Sequence, residues 1–472
     1  MRSDLLNENL DPERGRGDRR RAGGFWTEPM RGLISSLTFV ALFPVSLAAQ
    51  ATSPTAPAPA QAAAYGSGIQ TPLRFEGEPA AASQVSFSAG ASAFYDDNVL
   101  GTNLNRLSDE ALSIDSHLGI TKQSEHLTAS FDYMPFFLFY RQIDQYDRVN
   151  HSANLNLAWR LTSRVILGLH DSFSYQNGVY PSITGQQILS GPAPPTALNQ
   201  MIIPYTTRVL SNMPGLDLTF VKSRRTSLAL SGAYDQRKFG KQTAGQRLYS
   251  SYGASGSLQF QYRVTEHTSF GILLLHQDTT YRGGEVFGNR VRSQIESTFL
   301  SVGSQLSPTV TVTVFGGPQY VRTIGLVSAG AGLAGHFQGA GGGSITKEVR
   351  KTALDLSFQR SISDGGGVYA FAISSNASFA VRRRLIGHWE VDCIAGAARV
   401  DASLFRLVNG RTDALTGRIN ISRPFSHGSV FHISYDTRHQ LSKGTLPISA
   451  DFDRNQVAAG IDYQFKAFSL AR

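Results

Sequence analysis

Residues 85–95, VSFSAGASAFY, decide the fold. Val85, Phe87, Ala89, Ala91, Ala93 and Tyr95 alternate with Ser86, Ser88, Gly90 and Ser92. A period of two means a strand with one apolar and one polar face, because successive side chains of a strand point to opposite sides. The pattern recurs. Val149, Ala153, Leu155, Leu157 and Trp159 alternate with Asn150, Ser152, Asn154, Asn156 and Arg160. Near the end, Val457, Ala459, Ile461, Tyr463 and Phe465 alternate with Gln456, Gly460, Asp462 and Gln464. Eighteen such segments are readable, near 84–95, 110–121, 126–140, 148–160, 164–176, 206–221, 226–237, 249–263, 267–279, 290–304, 309–319, 334–347, 350–361, 368–382, 387–400, 412–423, 428–439 and 454–468. Those at 206–221, 290–304 and 334–347 are the least regular, so sixteen is the alternative count.

The connections carry a second signal. Links such as 122–125, 161–163, 222–225 and 264–266 are tight turns, whereas 96–109, 177–205, 238–248 and 320–333 are long. Short turns on one rim and long loops on the other are the plan of an outer-membrane barrel. A soluble sandwich also alternates, but its wet face is rich in Lys and Glu and its strands run to about 5–6 residues. Here the polar face is mostly Ser, Asn, Gln, Thr and Gly, and the segments are longer. Aromatic residues gather near segment ends: Tyr95, Phe136, Phe137, Phe139, Tyr140, Phe173 and Tyr175 toward the loops, and Trp159, Phe220, Phe260, Tyr262, Trp389, Tyr463, Phe465 and Phe468 toward the turns. Two such belts are what the interfaces of a bilayer select. The expected fold is all-β: a transmembrane antiparallel up-and-down β-barrel of about 18 strands over residues 84–472.

Composition agrees. The 472 residues hold 17% charged and 10% aromatic side chains, with mean hydropathy −0.16, and a single cysteine, Cys393. One cysteine excludes an internal disulfide framework and a cysteine-cluster metal site. The longest apolar helix candidate, Leu33–Ala49, is interrupted by Pro44 and is short for a membrane span. It follows Met30-Arg31-Gly32 and exits through Ser46-Leu47-Ala48, the form of a secretory signal, so residues 1–49 are read as a targeting segment, with Met30 as an alternative start. Residues 50–83 begin with ATSPTAPAPAQAAA (51–64), an Ala/Pro-rich run that cannot form a core and reads as a periplasmic linker. The net charge of +9 is spread over short turns rather than clustered beside stacked aromatics, so no nucleic-acid partner is expected.

A barrel this wide encloses water unless something fills it. The inward candidates are Asp115, His117, Asn154, Asn156, Arg160, His170, Gln259, Gln261, Asp355, Gln359, Arg418, Asn420, His432, Asp436, Asp462 and Gln464. Both signs of charge occur, so no strong ion selectivity follows. His276 is also read as a lumen residue, and Cys393 as lipid-facing beside Trp389 and Val391. The uncharged loop 177–205 is read as an apolar gate, a partner-binding patch or a mobile loop. No G-x-S-x-G elbow or H-E-x-x-H pair is present, and Gly339–Lys347 lacks the Gly-Lys-[Ser/Thr] ending of a phosphate loop. No enzyme, metal or cofactor is expected.

Tyr95-Asp96-Asp97-Asn98-Val99, Phe315–Tyr320 (FGGPQY), Gly341–Thr346 (GGGSIT) and Leu354–Ser361 (LDLSFQRS) are similar to the outer-membrane β-barrel porin-2 family. The resemblance implies a role with exopolysaccharide machinery and supplies no catalytic residues. It departs at the end of the chain, where barrels present a terminal aromatic to the assembly machinery and this chain places Phe468 four residues early. The function expected is an outer-membrane channel for hydrophilic solutes or an exported polysaccharide. A plugged barrel acting as an anchor or docking platform is the first alternative, and a barrel hydrolase the second. Expected partners are outer-membrane lipid, the barrel-assembly machinery, and polysaccharide or periplasmic export components.

Overall fold

The structure is a computed structural model of the full chain. It describes residues 83–103, 106–177, 208–240, 248–282, 290–324, 335–363, 372–401, 410–425, 428–444 and 451–470. The targeting segment, the linker up to residue 82 and nearly all of loop 177–205 lie outside the described residues.

Eighteen long antiparallel strands form one sheet. They are β1 (Gln84–Asp96), β2 (Asp109–Gln123), β3 (Leu127–Tyr140), β4 (Arg148–Arg160), β5 (Val165–Asn177), β6 (Arg208–Val221), β7 (Thr226–Phe239), β8 (Ser250–Arg263) and β9 (Thr268–Arg282), then β10 (Arg290–Ser307), β11 (Val310–Ile324), β12 (Gly335–Val349), β13 (Thr352–Ser363), β14 (Ala372–Arg384), β15 (Glu390–Asp401), β16 (Gly410–Pro424), β17 (Ser429–Gly444) and β18 (Phe452–Gln464). Each pairs with its neighbours in sequence, and β1 pairs with β18 from Ser88↔Gln464 to Asp96↔Gln456. A two-residue β19 (Phe468–Ser469) extends this seam along Val85 and Gln84. The sheet is therefore closed, and no long strand keeps a free edge. Eighteen strands ~4.8 Å apart and tilted ~40° place the backbone at a radius of about 18 Å.

Alternation sorts the two faces. In β2, Leu112 and Ile114 are 45% and 41% exposed, whereas Ser113 and Asp115 between them are 5% and 3% exposed. The exposed apolar side chains stand on the outside of the ring, where they are not covered by any other described residues. On the turn side the outer aromatics Trp159, Phe220, Phe260, Tyr262, Tyr463, Phe465 and Phe468 are all exposed. Cys393 lies in the same outward register as Val391 and Ala395. Ionisable groups on the outer wall concentrate in its loop-side half and pair across strands: His276 with Glu296 at 2.5 Å, Arg292 with Asp278, Arg399 with Asp413 at 2.6 Å, and His439 with Asp453. Asp171 departs from this. It stands outward between its partners Leu155 and Pro214, and its Oδ1 is buried with no hydrogen bond among the described residues.

Prolines mark the breaks in the ladder. Pairing of β2 with β3 lapses beside Pro135, of β6 with β7 beside Pro214, and of β10 with β11 beside Pro318. Each lacks the N–H that a ladder needs.

Two sequence expectations are corrected here. Phe136 and Tyr140, read as outer-belt aromatics, face inward at 8% and 6% exposure. They cover Phe94, Leu138 and the loop residue Val99. Five consecutive apolar residues, Phe136–Tyr140, carry no alternation from which a face can be read. His276, read as a lumen residue, stands outward beside exposed Leu274. The run Ile272–Leu275 is apolar on both faces and hides its parity in the same way.

Candidate functional site: the inner wall

The pleat, not a loop, positions the inner wall. Asp115 and His117 come from β2, Asn154, Asn156 and Arg160 from β4, His170 from β5, and Gln259 and Gln261 from β8. Asp355 and Gln359 come from β13, Arg418 and Asn420 from β16, His432 and Asp436 from β17, and Asp462 and Gln464 from β18. All sixteen occupy the register opposite the exposed apolar side chains of their strands.

Two arcs of the ring bring members together. On the first, Arg418 Nε donates to Asp436 Oδ1 at 2.5 Å across β16 and β17. On β17 and β18, His432 Nδ1 lies 3.0 Å from Asp462 Oδ2, and His432 Nε2 lies 3.1 Å from Ser92 Oγ on β1. Gly460 makes this contact possible. It pairs with both Ser92 and His432, and a Cβ there would lie 2.1 Å from Ser92 Oγ and 2.7 Å from His432 Nε2. On the second arc, His117 Nε2 meets Asp132 Oδ1 at 2.9 Å, and His170 Nδ1 meets Asp217 Oδ2 at 2.9 Å. Asn156 sits directly opposite His170 in the ladder. Elsewhere, Asp355 accepts from Thr346 at 2.7 Å. Gln259 and Gln261 on β8 lie half-way round the ring from His432 and join neither arc.

Sequence reading did not single out Ser92, Asp132, Asp217, the buried pair Asp96–Arg454 or the pair Arg382–Asp392. Asp217 was accessible to it, since it alternates with Leu216 and Leu218. The partners across the seam were not, because Ser92 and His432 are 340 residues apart in sequence.

The Ser92–His432–Asp462 chain runs in the order of a nucleophile relay. All three side chains are buried at 8%, 4% and 6% exposure, so the hydroxyl faces its own wall rather than a substrate. The chain acts as a clamp across β1, β18 and β17. Beside it, Asp115 Oδ2, Asp462 Oδ1 and both amide atoms of Asn420 have no hydrogen-bond partner among the described residues. Among the described residues no group of three or more His, Cys, Asp or Glu side chains is placed to hold a metal ion.

At the loop-side mouth the first loop turns inward. Val99 is fully buried against the β1–β3 aromatics. Asn98 holds the loop through its Nδ2 to Asp453 O at 2.8 Å and its Oδ1 to Thr102 N at 3.2 Å. Arg454 grips Asp96 beneath it. The inner wall thus carries ion pairs of both signs along the ring and an apolar shoulder at one side of its mouth.

No protein-family model matches the sequence. No curated protein matches it either. Solved structures similar to it are Occ/Opd outer-membrane porins. OccK2 (OpdF) of Pseudomonas aeruginosa, in complex with glucuronate, is 11% identical, with 81% of this chain and 98% of that chain covered at a TM-score of 0.43. OccK11 (OpdR) of the same organism is 12% identical, with 82% and 96% covered at 0.40. OccAB1 of Acinetobacter baumannii is 8% identical, with 83% and 100% covered at 0.43. With scores this low, the barrel assignment rests on the closed hydrogen-bond ladder of this chain itself.

Proposed function

We propose that this chain is an integral outer-membrane channel that passes small hydrophilic solutes without catalysis. One observation carries the reading: a closed 18-strand ring stands its exposed apolar side chains on the outside and sets polar and charged side chains in the opposite register. A closed ladder satisfies its backbone in lipid, which an open sheet cannot do. A barrel of this width encloses water unless something fills it. Because both signs of charge occur on the inner wall, and Arg382 and Arg418 are each paired with an aspartate one strand away, the conduit discriminates weakly between cations and anions.

Residues 1–49 serve as the export signal and 50–83 as a periplasmic linker, with the long loops outside the cell. The sixteen inward residues line the path. Insertion by the barrel-assembly machinery uses the seam end of the chain, near Phe468.

Single-channel recording in planar bilayers tests the reading. Purified protein that inserts and passes discrete current steps supports it, and protein that inserts but conducts nothing overturns it in favour of an anchor. An exported polysaccharide strand as cargo rests on the family resemblance. Deleting the gene and measuring secreted polymer decides it, and unchanged secretion removes that cargo.

A further inference from the structure

We propose that the outer wall of β9–β11 carries a binding site for the phosphate groups of an outer-leaflet glycolipid, built on Arg282, Arg290 and Arg322. The site rests on the outer-membrane reading above.

Arg282 and Arg290 are directly opposed partners of the β9–β10 ladder, and both point outward and are exposed. Like charges in directly opposed positions destabilise a sheet. A ladder that places them so gains from an anion held between them. Arg322 adds a third exposed guanidinium on the outer face of β11, four positions further down the ladder, where it pairs with Gln294 and Gly335. Arg292 stands on the same face between these two rows, but its guanidinium is taken by Asp278. No carboxylate lies within ion-pair distance of Arg282, Arg290 or Arg322 among the described residues. The other outer-wall clusters differ. On β15 and β16, Arg399 and Arg411 both bind Asp413, and on β17 and β18, His439 binds Asp453. The uncompensated charge is thus local to one stretch of wall.

Its height is set by aromatics. Tyr252 is the ladder partner of Thr280, one outward step below Arg282, and the Arg282 guanidinium lies 4.7 Å from the Tyr252 ring centroid and donates to its hydroxyl at 3.1 Å. Tyr320 is one outward step below Arg322 and packs on Phe337 with ring centroids 4.7 Å apart. Outward-facing aromatics of this kind mark the boundary between acyl chains and headgroups. The arginines therefore sit on the headgroup side of that boundary, at the level of lipid phosphates. Guanidinium forks match phosphate oxygens bidentately, which ammonium groups do not. Below the row, Gly339, Gly341 and Gly343 take outward positions on β12 next to exposed Phe337 and Ile345. They leave the wall flat where an acyl chain would lie. Phosphate above and acyl chains below describe a phosphorylated glycolipid rather than a soluble anion.

Native mass spectrometry of the full-length barrel in detergent, titrated with diphosphoryl lipid A, tests the site. The wild type is expected to retain the lipid, and Arg282→Gln/Arg290→Gln/Arg322→Gln to bind it roughly tenfold or more weakly, the loss of several charge-assisted contacts. Lipid A stripped of phosphate should bind the wild type as weakly as the intact lipid binds the variant. Arg399→Gln/Arg411→Gln is the control and should retain the lipid as the wild type does. Equal binding by wild type and triple variant, or equal loss in the control, overturns the site. Displacement of the lipid by inorganic phosphate at matched phosphorus concentration also overturns it, by showing a site for the free anion. Insertion into vesicles is measured on the same preparations. If neither protein inserts, the membrane reading has failed, whereas intact insertion with unchanged binding condemns this site alone.

Discussion

Gly460→Ala is the sharpest test of how the barrel is held shut. Gly460 lies on the inner face of β18, between Ser92 on β1 and His432 on β17. The added methyl would lie 2.1 Å from Ser92 Oγ, 2.7 Å from His432 Nε2 and 2.7 Å from the backbone oxygen of Ala91. Ser92 can rotate away, at the cost of its hydrogen bond to His432, which is worth about 1 kcal/mol. The Ala91 carbonyl cannot, because it belongs to the ladder. Moving a strand to relieve such a clash costs ~1–3 kcal/mol. The expected destabilisation is therefore about 2–4 kcal/mol. Gly417→Ala is the matched control, since its methyl would meet only the Thr437 Cγ2 at 3.0 Å. Both variants are refolded into lipid vesicles and unfolded in urea, with the fraction folded read from heat-modifiable migration. If Gly460→Ala unfolds within about 0.5 kcal/mol of the wild type, the size of an ordinary surface substitution, the seam clamp is not a structural element and the reasoning is wrong.

Other outcomes follow from particular residues. Arg418→Met leaves Asp436 without its partner and should cost about 3 kcal/mol in the same urea assay, with most of it regained in Arg418→Met/Asp436→Leu. Asp171→Leu removes an outward carboxylate with an unpartnered oxygen and should stabilise the lipid-embedded barrel by ~1–2 kcal/mol, whereas a loss of stability would show that Asp171 has a partner. A nitroxide on Cys393, the single cysteine, should relax with oxygen and not with a water-soluble nickel chelate, and the reverse would turn β15 inside out. Ser92 should stay unlabelled by a fluorophosphonate, and labelling lost in Ser92→Ala would turn the clamp into a working nucleophile.

Strict alternation made most of the barrel legible. Segment 148–160 was read to the residue, and 84–95, 226–237 and 412–423 each differ from the strand by one or two positions at an end. The parity that set these strands also set the inward face of all sixteen candidates. Reading failed where parity vanished, as at Phe136–Tyr140 and Ile272–Leu275, because a strand apolar on both sides does not reveal which side is in. Pairing was beyond reach for another reason. The period of one strand says nothing about register between strands, so Arg418 and Asp436 could be listed separately but not joined. The inward turn of Val99 was equally hidden, since a lone valine after Asp96-Asp97-Asn98 looks like any loop residue.

The seam joins the first strand of the barrel to the last. Ser92 and Asp96 stand on β1, whereas His432 stands on β17 and Arg454 and Asp462 on β18. A barrel that lacked β18 would leave β1 and β17 with raw edges open to any neighbour. The final stave and the hasp are thus one piece, and losing either opens the cask.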